Sequence, residues 1–93
     1  MKQFDWDLTK NKQLIEERGI SFEEVIFHLR SDSLLDDVKH PNQDAYAHQR
    51  IYVVAIEDYV YLVPYVESED DIFLKTIIPS RKATKQYLGG NDE

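Results

Sequence analysis

The chain has 93 residues, a formal net charge of −7 and no cysteine. A disulfide framework and thiolate chemistry are therefore excluded, and the acidity argues against a general nucleic-acid coat protein. The length suits one domain over residues 1–93, with one core and a stability of about 5–10 kcal/mol.

The elements follow in chain order. Met1 to Asp7 lacks the apolar run of a signal peptide, and no apolar run approaches the roughly 18 residues of a membrane span. A cytoplasmic protein that does not enter the membrane is expected. Phe4 to Trp6 is a short aromatic stretch flanked by acids and is expected to be an edge strand. Lys10 to Arg18 reads as a helix, ended by Gly19 at the C′ position. Ser21-Phe22-Glu23-Glu24 is a capping box, with Ile20 and Val25 at the flanking hydrophobic-staple positions. Phe22, Val25, Ile26 and Leu29 then keep the i, i+3, i+4, i+7 stripe of a helix running to about Arg30.

Leu34 to Lys39 is a candidate strand, and His40-Pro41-Asn42 is a turn signal. Arg50 to Glu57 is apolar on both faces, the pattern of a central strand. Glu57-Asp58 is a tight hairpin turn, and Tyr59 to Val66 the returning strand, with Tyr59, Tyr61, Val63 and Tyr65 on one face. Pro64 cannot donate to a ladder, so a bulge or strand margin is expected there. Glu67 to Asp71 is an acidic loop, Ile72 to Ile78 the last strand, and Pro79-Ser80 a break. Ser80 caps a short helix reaching Leu88, which Gly89-Gly90 ends; Asn91 to Glu93 is expected to fray. The order β-α-α-β-β-β-β-α predicts an α+β fold: an antiparallel sheet with two N-terminal helices packed on one face.

One feature stands against the overall charge. From Ile72 to Asn91 there is no acid, and the cations Lys75, Arg81, Lys82 and Lys85 cluster. Arg81 and Lys82 in the first turn of a helix oppose its dipole but suit a phosphate; a solvated face is the plainer reading. Arg50 can clamp a phosphate or pair with Asp44 or Glu57. Tyr65 precedes the acidic loop and can reach a cleft. His28, His40 and His48 lack metal-ligand spacing. No nucleotide-loop, zincin or serine-hydrolase motif is present.

Phe4-Asp5-Trp6-Asp7, Lys10-Asn11, Gly19-Ile20-Ser21-Phe22-Glu23-Glu24, Arg50 and Ile77-Ile78-Pro79-Ser80-Arg81-Lys82-Ala83-Thr84, taken in this order, resemble the BrnT-type toxins of type II toxin–antitoxin systems. The resemblance implies a RelE-like fold and metal-independent RNA cleavage that inhibits growth, with no cofactor. By matching positions it implies Arg50, Tyr65, Arg81 and Lys82 as catalytic residues and Lys10, Lys75 and Lys85 as RNA contacts. It also implies an antitoxin partner of the ribbon-helix-helix type, with operator DNA touched only through that complex. Arg18 stands where the family often has histidine, and the chain is acidic where the family tends to be basic. Fewer cations predict a shallower salt dependence of RNA binding. Two other readings remain: a non-catalytic interaction module whose acidic Glu69 to Asp71 surface takes a basic partner, and a transcription-associated subunit.

Overall fold

The computed structural model describes residues 2–89. β1 (Gln3–Trp6) leads through Asp7 into α1 (Leu8–Arg18). Asp7 is the N-cap, its carboxylate accepting from the N–H groups of Thr9 and Lys10. That start lies two residues before the expected Lys10, because the cap is a lone aspartate without the second half of a capping box. Gly19 ends α1 at φ 68°, in the left-handed region, with its N–H on the Ile15 carbonyl. α2 (Phe22–Leu29) begins with the capping box formed in both directions, Ser21 to the Glu24 N–H and Glu24 to the Ser21 N–H. The staple residues Ile20 and Val25 are both buried.

The strands are β2 (Leu34–Lys39), β3 (Gln49–Ile56), β4 (Tyr59–Glu67), β5 (Asp71–Leu74) and β6 (Ile78–Pro79), and α3 (Arg81–Tyr87) follows. Glu57 and Asp58 join β3 to β4 with φ of 51° and 66°, as a two-residue turn matching the strand twist requires. The sheet order is β1-β5-β4-β3-β2, with β6 also on β4. The sheet is mixed, correcting the antiparallel expectation: β1 runs parallel to β5. Residues 7–70 lie between these two strands, which leaves room for the crossover a parallel pair needs.

The expected last strand, Ile72 to Ile78, is also corrected. It splits into β5 and β6, which face the same edge of β4 with registers one residue out of step. The interruption answers Pro64. The Pro64 carbonyl accepts the Lys75 N–H at 2.8 Å, so the proline nitrogen points to the same side, where the facing strand is broken. Pro64 itself corrects the expected bulge or strand margin: it is buried inside β4 and stays in unbroken register with Ile51 of β3. Arg18 of α1 donates to the Ile77 carbonyl inside the break. The acidic loop shrinks to Ser68–Asp70, because Glu67 and Asp71 belong to strands. Gly90 and residues 91–93, part of the expected C-terminal stop, lie outside the described residues.

The two faces of the sheet carry different layers. Tyr52, Val54 and Ile56 of β3 and Val63 and Tyr65 of β4 pack with Leu14, Ile20, Phe22, Val25 and Ile26 under α1 and α2. Val53 and Val60 face the other way and meet Ala83 of α3, with Leu35, Val38, Leu62 and Tyr87 around them. Two hydrogen bonds pin α3 to β4: Ser80 N–H to the Val60 carbonyl at 3.0 Å and Val60 N–H to the Thr84 hydroxyl at 2.9 Å. Among the described residues no helix is long and apolar enough to cross a membrane.

Asn11 links the first two helices from a buried position. Its side-chain oxygen accepts the N–H of the fully buried Phe22 at 2.8 Å, and its amide donates to Glu23 at 2.9 Å. Phe22 is the first residue of α2, whose N–H has no partner inside its own helix. Asn11→Ala leaves that donor buried and unpaired. It should lower the unfolding free energy by about 2–3 kcal/mol in urea titrations.

Candidate functional site

Asp37, Arg50, Tyr52 and Tyr65 meet on the α1/α2 face, near the end of the sheet where β3 begins. Asp37 stands opposite Tyr52, and Arg50 opposite Tyr65. Asp37 is the hub. Its carboxylate accepts from Arg50 Nε at 3.1 Å and from the Tyr65 hydroxyl at 2.7 and 2.8 Å to its two oxygens. Arg50 Nη2 also donates to the Asp37 carbonyl at 2.9 Å. Tyr52 and Tyr65 stack with ring centroids 3.9 Å apart and planes 10° from parallel.

A bulge in β2 decides which acid occupies the hub. The pairing slips by one residue between Leu34 and Asp36. Were the register of Leu34 carried through, Asp36 would stand opposite Tyr52; the slip puts Asp37 there. It turns Asp36 to the α3 face, where it accepts from the Tyr87 hydroxyl at 3.0 Å. It also lets Leu35 join Val38 in the apolar layer beneath α3.

The cluster is half open. Tyr65 is 2% exposed, while the side chains of Arg50 and Asp37 are 40% and 37% exposed. Tyr65 and Asp37 together hold the Arg50 guanidinium above its ordinary pKa. Burial, then the hydrogen bond to Asp37, pushes the Tyr65 hydroxyl far above the ordinary tyrosine value. Tyr65 is thus a permanent proton donor toward Asp37. Two of the five Arg50 N–H groups are used within the cluster, so three remain to hold an anionic oxygen.

Four tyrosines share the upward shift. Burial raises Tyr52 and Tyr61, burial and Asp37 raise Tyr65, and the hydrogen bond to Asp36 raises Tyr87. The folded chain keeps protons that the unfolded chain releases near pH 10. The stability they contribute is therefore complete below about pH 10 and lost as pH rises above it. Guanidinium unfolding midpoints should hold level to about pH 9 and then fall. In Tyr65→Phe the fall should be shallower.

The remaining expected site residues lie elsewhere. Arg81, Lys82 and Lys85 belong to α3, on the opposite face of the sheet. Lys75 sits in the β5–β6 break with Nζ 5.7 Å from the centroid of Phe73, and Phe73, paired with Val66, points to that same face. The basic island thus gathers on one surface, but the thickness of the sheet separates it from Arg50 and Tyr65. Arg50, Tyr65, Arg81 and Lys82, expected together as catalytic residues, thus fall into two groups on opposite faces of the sheet. Within the Arg81–Thr84 motif, Ala83 and Thr84 are structural, packing and bonding α3 onto β4. Lys10 lies in the first turn of α1, away from both groups.

Arg50 pairs with neither Asp44 nor Glu57, because its cross-strand neighbour is on β2. Tyr65 does not open on a cleft; its ring is sealed under Tyr52. Asp37 was missed by sequence reasoning, since an acid in a run of two beside a turn looks like a solvated strand end. The one available signal was that Asp36-Asp37 sits on a strand between apolar residues. His40 stacks on Tyr46 with centroids 4.3 Å apart, and its Nδ1 accepts the Asn42 N–H; it serves the loop. No group of three or more metal-ligating side chains gathers among the described residues. Compared with known proteins, the chain matches no family model, no curated protein and no solved structure.

Proposed function

We propose that the chain is the toxin component of a type II toxin–antitoxin system, an endoribonuclease of RelE-like fold acting in the cytoplasm. One observation carries the reading. Arg50 and Tyr65, two of the residues implied by the resemblance to BrnT-type toxins, converge on a half-exposed carboxylate, Asp37. A cation with free N–H groups beside a carboxylate is what metal-independent cleavage of RNA needs.

In this reading the free guanidinium edge of Arg50 holds the scissile phosphate and stabilises the charge that grows on it. Asp37 takes the proton of the 2′-hydroxyl as its oxygen attacks phosphorus. The bond to the 5′-oxygen breaks, and that oxygen takes a proton from water, whose hydroxide is neutralised by the proton that Asp37 gives up. The products are a 2′,3′-cyclic phosphate and a 5′-hydroxyl end. Tyr65 does not reach the substrate; it positions Asp37 through its hydroxyl. Lys75, Arg81, Lys82 and Lys85 hold flanking RNA backbone or the antitoxin on the α3 face.

The test is the purified chain with single-stranded RNA at micromolar concentration, with end-group analysis, beside expression in cells. Cyclic-phosphate ends and growth arrest are expected. Arg81→Ala combined with Lys82→Ala should weaken RNA binding and flatten its salt dependence while leaving the cleavage step at saturating RNA within about threefold. Intact RNA and normal growth would sink the reading.

The separation of the basic island from Arg50 favours a second reading, a non-catalytic module of the same fold that docks an antitoxin or transcription regulator. Under it the Arg81/Lys82 double variant loses the partner while Asp37→Asn keeps it.

A further inference from the structure

We infer that the groove between β1 and α2 receives an extended acidic peptide segment of a partner protein, laid along the free edge of β1. Among the described residues β1 is an edge strand that pairs with β5 alone. The Gln3 N–H donates to the Asp70 carbonyl at 3.1 Å. Main-chain groups alternate along a strand, so Gln3 and Asp5 address β5 while Phe4 and Trp6 address the open side. The Asp5 carboxylate already takes the Trp6 N–H at 2.8 Å, which leaves the Phe4 amide and carbonyl as the open pairing site. An edge of this kind is a template for an added strand.

Beside this edge lies a cavity of about 760 Å³, walled by Phe4 and Trp6 from the strand and Ile26, Phe27 and Arg30 from the helix. That volume is ample for one or two large side chains of a bound strand. Phe27 is 65% exposed although it is one of the largest apolar side chains in the chain. Covering it would remove that apolar surface from water.

The charges at the groove select the occupant. Lys2 is taken by Glu67 at 2.6 Å, and Glu23 accepts from Asn11. Arg30 has no carboxylate partner among the described residues; its guanidinium lies 5.8 Å from the Phe4 ring centroid. The Trp6 indole N–H is buried without an acceptor. Arg30 is thus the exposed cation of the groove left without a carboxylate, and its complement is a strand carrying a carboxylate near an apolar anchor. RNA fits less well. A strand pairs its main chain with Phe4, which RNA has no means to do, and the cations that could follow an RNA backbone are on the other face of the sheet. The site stands apart from the ribonuclease reading, since none of its lining residues belongs to the Asp37 cluster. Phe4 does touch Tyr52 edge-on, with centroids 6.5 Å apart, so an occupant would lie beside that cluster.

The test is selection of a random linear peptide library, roughly twelve residues long, on the intact protein. Arg30→Glu and Phe27→Ser proteins serve as counter-targets; both changes are at exposed or half-exposed positions and should leave the circular dichroism spectrum unchanged. Enriched peptides should share an aromatic or aliphatic residue with Asp or Glu two positions away, on the same side of a strand. The synthesised winner should shift the emission of Trp6, the one tryptophan in the chain. It should bind each variant at least about tenfold more weakly. Equal binding to wild type and variants, unchanged Trp6 emission, or no enrichment would overturn the proposal. So would displacement of the peptide by single-stranded RNA at lower concentration than by acidic peptide, which would make the groove a nucleic-acid site. The readouts involve no RNA cleavage, so failure here and failure of the ribonuclease reading are separate results.

Discussion

Asp37→Asn and Arg50→Ala should each lower RNA cleavage by about 10²–10⁴-fold and relieve growth arrest on expression. Asparagine keeps the shape of Asp37 and still accepts from the Tyr65 hydroxyl, so the fold should persist. What it loses is the ability to take a proton. The expected signature is a fall in kcat with little change in KM. Arg50→Ala removes the guanidinium edge that holds the phosphate, so it should lower kcat and raise KM together. Arg50→Lys should recover little, because a point charge cannot bond Asp37 through one edge and a phosphate through another. Tyr65→Phe distinguishes positioning from chemistry. It should cost far less than Asp37→Asn and leave the pH profile in place. If the Arg81/Lys82 double variant instead abolishes kcat while Asp37→Asn is active, the chemistry belongs to the α3 face and the assignment fails.

Phe22→Ala should destabilise the protein by about 3–5 kcal/mol, among the largest effects of a single side-chain truncation. Phe22 is fully buried at the first position of α2 and lies 6.1 Å from Trp6 between ring centroids. It joins β1, α1 and α2, because its side chain packs on Trp6 while its N–H is held by Asn11. Truncation leaves a cavity among residues anchored by three separate elements, which cannot easily collapse to fill it. For a chain of this size the loss approaches the whole expected stability, and the melting temperature should drop by at least about 15 °C. Phe22→Leu should cost less than half as much, since most of the volume is kept. A thermal melt by circular dichroism checks both. If the two variants melt together, the contact of Phe22 with Trp6 matters less than the geometry implies.

The local signals in the sequence translated directly into structure. The capping box at Ser21, the stripe Phe22-Val25-Ile26-Leu29, Gly19 at a left-handed stop and the Glu57-Asp58 turn involve residues within a few positions of one another. Their energetics do not depend on what packs above them. The doubly apolar β3 was legible as a central strand for a similar reason: only burial on both faces tolerates such a run. Pro64 was legible as a disturbance. Where the disturbance fell was not, because the missing donor faces the gap between β5 and β6, and that gap is a property of strand pairing rather than of Pro64's own neighbours.

The candidate site was only half legible. Arg50 and Tyr65 stood out by type and position, and they do meet. Asp37 did not, because its place opposite Tyr52 depends on a one-residue slip in β2, and a slip is a property of a pair of strands. The same holds for the basic island. Helical capping at Ser80 fixed where α3 starts, but not the face of the sheet on which it lies. That was decided by Ala83 and Thr84 docking on Val60, a contact between residues more than twenty positions apart. The sequence by itself determined which segments are helix or strand and where the capped helix ends and the β3–β4 turn fall, since caps, turns and periodicity act over a few residues. Only the tertiary structure decided the parallel pairing of β1, the identity of the acid beside Arg50 and the separation of Arg50 from Arg81 and Lys82. Those depend on long-range strand pairing and on burial shared among elements that no local stretch contains.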